Sequence, residues 1–116
     1  MTREFIIMPE FDRQWKSMNL SDIHLQQLQG ELIIDPRVGA VIQHTNGLRK
    51  YRFALPGRGK SGSVRVIYVD FPAYEKTYLI TTYPKNIKDN LTSEEKQIIA
   101  KLIRELGDEL RKKVNG

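Results

Sequence analysis

Three strand-like runs, one after another, constrain what this chain can fold into more than any other feature. Residues 48–55 alternate between two sets, and residues 64–71 and 77–83 are rich in β-branched and aromatic side chains, which fit the pleated, half-buried surface of a sheet. The last two are separated by Pro72-Ala73-Tyr74-Glu75-Lys76, a connection that suits a hairpin. Three strands in succession imply an antiparallel meander. In the first run Lys50 and Arg52 alternate with Arg49, Tyr51 and Phe53, so Lys50 and Arg52 share one face and Tyr51 and Phe53 the other.

Around the meander the period is helical. Phe5, Ile6, Ile7 and Met8 read as a short strand that Pro9 stops, with Pro9 then placed at the first turn of a helix. Phe11, Trp15 and Met18 follow on one helical face. Ser21 is a good N-cap and Leu20 can staple onto Leu25; Leu25, Leu28 and Leu32 continue a stripe that Asp35-Pro36 ends. Beyond the strands, Thr92-Ser93-Glu94-Glu95 has capping-box spacing and Ile98, Ile99, Leu102, Ile103, Leu106 and Leu110 lay an apolar stripe along a last helix, with Gly107 expected to fray or bend its end. The order strand, two helices, three strands, helix predicts an α+β domain. Its small, mainly antiparallel twisted sheet is expected to carry helices on one face and leave the other open. At 116 residues the chain reads as a single domain, 1–116.

Charge narrows the function. Residues 36–69 hold seven basic side chains and no acid, so this segment carries +7 against a chain total of +5. Concentrating cations on one hairpin opposes folding by self-repulsion; the simplest reason for it is an anion met in a defined place, phosphate first. Nucleic acid therefore leads the partner classes, ahead of an acidic protein or an anionic membrane surface. Cysteine is absent, which excludes a disulfide framework, a thiol nucleophile and thiolate metal sites, and fits a cytoplasmic location. No apolar stretch has the length of a signal segment or membrane span, so a soluble protein with no membrane partner is expected.

Within the hairpin, Gly59-Lys60-Ser61 resembles the end of a P-loop. In a P-loop that sequence opens a helix whose N-terminus holds phosphate, whereas here it leads into the β-rich Val64-Arg65-Val66-Ile67-Tyr68. The loop reads better as a flexible basic tip: its glycines and proline let backbone approach a phosphate, Arg58 and Lys60 supply charge, and Arg65 lies on the returning strand. It also reads as a solvated turn whose cations deter edge pairing. Lys85 directly follows the last strand, whose end can converge with the loop in a meander. Arg58, Lys60, Arg65 and Lys85 can then surround one phosphate while Lys50 and Arg52 position backbone phosphates. His24 reads as structural or solvated, and His44, before Asn46-Gly47, as a turn residue or a catalytic group. Two histidines without clustered acids give no metal signal, and no cofactor is expected. Catalysis would run on lysine, arginine and tyrosine. RNA cleavage permits this, because the ribose 2′-OH is an internal nucleophile: an enzyme need only align it, take its proton, stabilise the phosphorane and help the 5′-oxygen leave. A lysine crowded by cations has a lowered pKa and can serve as the base.

The strings Gly47-Leu-Arg-Lys-Tyr-Arg-Phe-Ala54, Gly57-Arg-Gly-Lys-Ser-Gly-Ser-Val-Arg-Val-Ile-Tyr68 and Tyr78-Leu-Ile-Thr-Thr-Tyr-Pro-Lys-Asn86, with the helix after them, resemble the HigB-like branch of the RelE toxin superfamily over nearly the whole chain. The resemblance implies the toxin of a type II toxin–antitoxin pair: a metal-independent mRNA interferase acting in the ribosomal A site. Its implied partner is a cognate helix-turn-helix antitoxin, through which alone it would meet operator DNA. By the same resemblance, Arg65 contacts the scissile phosphate, Lys60 and Arg58 match the basic loop, and Lys85 matches the cation after the last strand. Lys60 or Lys85 is the base, with Arg58 and Arg65 as clamps. Arg49, Lys50, Arg52 and Lys88 are RNA-binding candidates, and Tyr68 is a structural or stacking residue. Where the prototype has an arginine and then a tyrosine after the position of Lys85, this chain has Asn86, Lys88 and Leu91. The other reading open to the same residues is a non-catalytic module that binds RNA or an acidic protein through the basic hairpin.

Overall fold

Pro9 acts as its ring dictates. It follows β1 (Glu4–Ile7) and opens α1 (Pro9–Ser17), where a missing N–H costs no helical hydrogen bond and a fixed φ already suits the helix. The computed structural model describes residues 2–55, 62–88 and 90–115. Helix α2 (Asp22–Ile34) starts at a capping box: the Ser21 hydroxyl accepts from the His24 N–H, and His24 Nδ1 accepts from the Ser21 N–H at 3.1 Å. That gives His24 a structural role. The chain continues through β2 (Ala40–Val41), β3 (Arg49–Phe53) and β4 (Val64–Phe71), a 3-10 turn at Pro72–Tyr74, β5 (Lys76–Pro84) and α3 (Ser93–Asn115). Rather than fraying at Gly107, α3 runs on through it, with that glycine buried beside the Phe71 ring.

The strand order is β1-β5-β4-β3-β2. Strands β3, β4 and β5 form the expected antiparallel meander, and β1 adds to it in parallel against β5. Two helices separate β1 from the meander, which gives the chain the length a parallel connection needs. Strand β2, only two residues long, pairs with β3 from within what the sequence reads as a connector. The register between β4 and β5 shifts at Ile67/Tyr68, so Ile67 pairs with Thr81 and Tyr68 with Leu79. Ile80 is the extra residue of this bulge.

The expectation of helices on one face only is corrected. Alternate residues of β4 enter two separate cores: Val64, Val66 and Tyr68 pack with Phe11, Trp15, Leu28 and Leu32 of α1 and α2, whereas Ile67 and Val69 pack with Ile99, Ile103 and Leu110 of α3. The sheet is therefore covered on both sides. The physical reason is visible in β4 itself, whose residues from Val64 to Val69 are all buried. A strand with one open face alternates apolar with polar; this one does not.

Two polar devices hold the edges. Arg3 donates to Asp70 through Nε (2.8 Å) and Nη2 (3.1 Å), with both side chains buried, and Asp70 also accepts from Thr77 Oγ1 at 2.6 Å. This fastens the N-terminal segment to β4 and β5. On the other side the connector 36–39 is laced to the sheet. Tyr68 Oη donates to the Pro36 carbonyl (2.8 Å) and accepts from the Gly39 N–H (3.0 Å). Arg49 Nη1 donates to the carbonyls of Arg37 (3.1 Å) and Gly39 (2.7 Å). Gly39 is required there, since a Cβ would lie 2.8 Å from Tyr68 Cε1.

Candidate functional site

The register of β3 on β4 pairs Arg52 with Arg65 and Lys50 with Ile67. Residues opposite one another in a ladder project to the same face with Cβ atoms roughly 4.5–5.5 Å apart, and like charges in that relation are destabilising. Two guanidinium-bearing residues at facing positions, with Lys50 two residues along the same face, form a cationic surface that self-stabilisation of the fold does not call for. Arg65 is 9% exposed and Arg52 is exposed, so the pair runs from the sheet surface outward. The Arg65 carbonyl accepts from Thr82 Oγ1 at 2.7 Å, and Arg52 Nε donates to Ser63 Oγ at 3.3 Å.

Strand β5 supplies the other wall. Tyr83 stands opposite Arg65 on the same face, buried except for a small fraction. The segment after β5 turns on the Pro84 carbonyl, which accepts from the N–H groups of Ile87 (3.2 Å) and Lys88 (3.3 Å). This turn brings Lys88 Nζ to 5.1 Å from the centre of the Tyr83 ring. Lys88 Nζ also donates to Glu95 Oε2 at 2.6 Å. The charge of Lys88, with the Thr92 N–H and hydroxyl, holds the Glu95 carboxyl below the usual carboxylate range. A little further on, Asn90 Oδ1 accepts from Lys50 Nζ at 2.8 Å, so the β5–α3 segment is tied to β3 as well. A cleft of about 250 Å³ opens beside it, lined among others by Glu10, Gln14, Tyr83, Pro84, Lys88 and Glu95.

Sequence-derived candidates thus divide by place. Lys50, Arg52, Arg65 and Lys88 gather on the α3 side of the sheet end. Lys85 is exposed, and its N–H approaches the Ser63 carbonyl at 3.5 Å, which brings the end of β5 to the start of β4 as a meander requires. Arg58 and Lys60 lie outside the described residues. Arg49 and Tyr68 do not join the site. Both project to the α1–α2 side, where they lace the connector, and Tyr68 is fully buried, with burial pushing its phenol above the ordinary value. Stacking of Tyr68 on a base is excluded by that burial. His44 is exposed in a left-handed turn (φ 63°) with Asn46 (φ 60°) and Gly47 (φ 98°), the turn role rather than the catalytic one.

Sequence reasoning missed Tyr83, Asn90 and Glu95 as members of the site. Glu95 carried a capping signal that proved real, with Oε1 accepting from the Thr92 N–H at 2.8 Å, and its second carboxylate oxygen is what reaches Lys88. Among the described residues no cluster of histidine, aspartate and glutamate has the make-up of a metal site, and no helix is long and apolar enough to cross a membrane.

Comparison with known proteins bears on this arrangement. A free-state double arginine-to-alanine mutant of the E. coli toxin RelE is similar in structure, with a TM-score of 0.50 and 16% identity over 77% of this chain and 90% of that one; at that identity the likeness speaks for the fold. The family described as "RelE toxin of RelE / RelB toxin-antitoxin system" matches residues 7–115. With a match over nearly its whole length, the chain belongs to the RelE toxin family of toxin–antitoxin systems.

Proposed function

We propose that this toxin, of the HigB-like branch, is a ribosome-dependent endoribonuclease that cleaves mRNA in the ribosomal A site and is neutralised by a helix-turn-helix antitoxin. The observation that carries the reading is the facing pair Arg52–Arg65 at the end of the meander, joined by Lys50 and Lys88. A fold bears such a juxtaposition of cations where a dianionic, developing charge is to be met. In the reaction, the ribose 2′-oxygen attacks phosphorus and its proton passes to a base, Lys60 or Lys85. The phosphorane charge falls to Arg65 and Arg58, and the bond from phosphorus to the 5′-oxygen breaks as that oxygen takes up a proton. Atoms balance as a 2′,3′-cyclic phosphate and a 5′-hydroxyl end. Arg52 and Lys50 hold the flanking backbone. No step needs a metal or a cofactor, and the site lies in the cytoplasm, where translating ribosomes are.

The test is expression without antitoxin and mapping of new 5′ ends on ribosome-bound messages. Wild type arrests growth and generates 5′-hydroxyl ends. Arg65→Ala relieves the arrest, lowering cleavage about 10²–10³-fold, the usual loss on removing one charge-stabilising donor, while antitoxin binding persists. Salt-sensitive RNA binding without new ends would establish the non-catalytic module instead. A folded, fully toxic Arg65→Ala protein would remove Arg65 from its role.

A further inference from the structure

Lysine is a poor choice for a fixed cation, because its ammonium sits on a flexible four-carbon stem. At Lys88 that freedom is removed by three contacts. Its backbone N–H is bound to the Pro84 carbonyl, its Nζ lies over the Tyr83 ring, and the same Nζ is held by Glu95 Oε2. Glu95 is itself fixed from the other side: Oε1 accepts from the Thr92 N–H at 2.8 Å, and the Glu95 N–H donates to Thr92 Oγ1 at 3.1 Å. One carboxylate thus closes the capping box of α3 and anchors the lysine beside the residue that faces Arg65. The ammonium has three N–H donors; with one given to Glu95, two remain for a phosphate.

We propose that Glu95 is a positioning residue, whose carboxylate bridges the α3 cap to Lys88 and holds the Lys88 ammonium over Tyr83 for contact with the RNA phosphate. This deepens the endoribonuclease reading and rests on it. Glu95 works against affinity, since a negative charge beside a phosphate site weakens RNA binding. Its value lies in orientation, where a small misplacement costs rate. Loss of charge and loss of position therefore move binding and turnover in opposite directions.

The experiment compares Glu95→Gln, Lys88→Ala, the double variant and Thr92→Ala in single-turnover cleavage of ribosome-bound message. Glu95→Gln is expected to lower the maximal rate about 10-fold without raising the half-saturating ribosome concentration, and to add nothing in the Lys88→Ala background. Thr92→Ala, which removes the hydroxyl bound to the Glu95 N–H but keeps the Thr92 N–H bond to Oε1 and the ion pair, is expected to lower the maximal rate less than Glu95→Gln does. A direct reading of position comes from NMR. The ε-methylene protons of Lys88, displaced by the Tyr83 ring current in wild type, move to their free-chain shift in Glu95→Gln and stay in place in Thr92→Ala. Glu95→Gln cleaving as fast as wild type, or a loss that adds in full to that of Lys88→Ala, overturns the proposal. So does an unmoved Lys88 resonance. A wild-type protein that leaves messages intact overturns instead the endoribonuclease reading beneath it, and the resonance still judges whether Glu95 sets the place of Lys88.

Discussion

Replacing Tyr68 by phenylalanine separates the two roles a strand tyrosine can have, architectural and RNA-stacking. The ring is fully buried, so Phe fills the same volume and opens no cavity. What disappears is one oxygen that serves two backbone groups, the Pro36 carbonyl at 2.8 Å and the Gly39 N–H at 3.0 Å, both on buried residues of the connector. Each buried group left unsatisfied costs about 1–3 kcal/mol. Allowing for partial relaxation of the connector, Tyr68→Phe should destabilise the fold by about 2–4 kcal/mol, a large part of the total of about 5–15 kcal/mol that a domain of this kind has. Burial holds the phenol above its ordinary value, so the hydroxyl stays protonated and both bonds persist across the neutral range. Urea unfolding should show a lowered midpoint with an unchanged slope, and thermal unfolding a fall of about 8–15 °C. Cleavage per folded molecule should equal wild type. A Tyr68→Phe protein within about 0.5 kcal/mol of wild type, yet poor at cleaving or binding RNA, would refute the reasoning and return Tyr68 to the site.

Two other expectations follow from the polar contacts. Asp70→Ala strips both Arg3 and Thr77 of their buried partner and should cost about 3–5 kcal/mol by urea denaturation, because it leaves a buried charge uncompensated. For pH, Lys88 holds the folded carboxyl of Glu95 below its ordinary value of 4.5. A depressed carboxylate stabilises fully above its unfolded value and loses that contribution as pH falls through the folded one. The stability difference between wild type and Glu95→Gln should therefore be flat above about pH 5 and shrink below about 4. Since both partners are more than a third exposed or nearly so, it should also be small and weaken in salt.

Much of this fold could be read locally. The helices around Phe11 and Leu28 followed from spacing, their starts from Pro9 and Ser21, and the meander from its composition, because each depends on neighbours within a few residues. The second helical layer did not follow. Val64-Arg65-Val66-Ile67-Tyr68-Val69 is a continuous run with one cation in it, and the apolar stripe of α3 shows only that the helix needs a sheet face. Which face it takes is decided by the crossover from β5, beyond the reach of any local pattern. The near-continuous apolar run of β4 was the available sign.

The site was legible only in part, and the β4–β5 bulge explains where reading stopped. Strict alternation along β5 puts Tyr78 and Tyr83, five residues apart, on opposite faces. The extra residue at Ile80 reverses the parity, so Tyr78 and Tyr83 both lie on the α3 side. Without that shift Tyr83 would point into the α1–α2 core, Lys88 would have no ring to lie over, and the wall facing Arg65 would be missing. On β3, where no bulge intervenes, alternation alone separated Lys50 and Arg52 from Arg49, and the ladder respects it. A one-residue irregularity in an otherwise regular ladder is therefore what sets Tyr83, with Lys88 over its ring, beside the charged strand face.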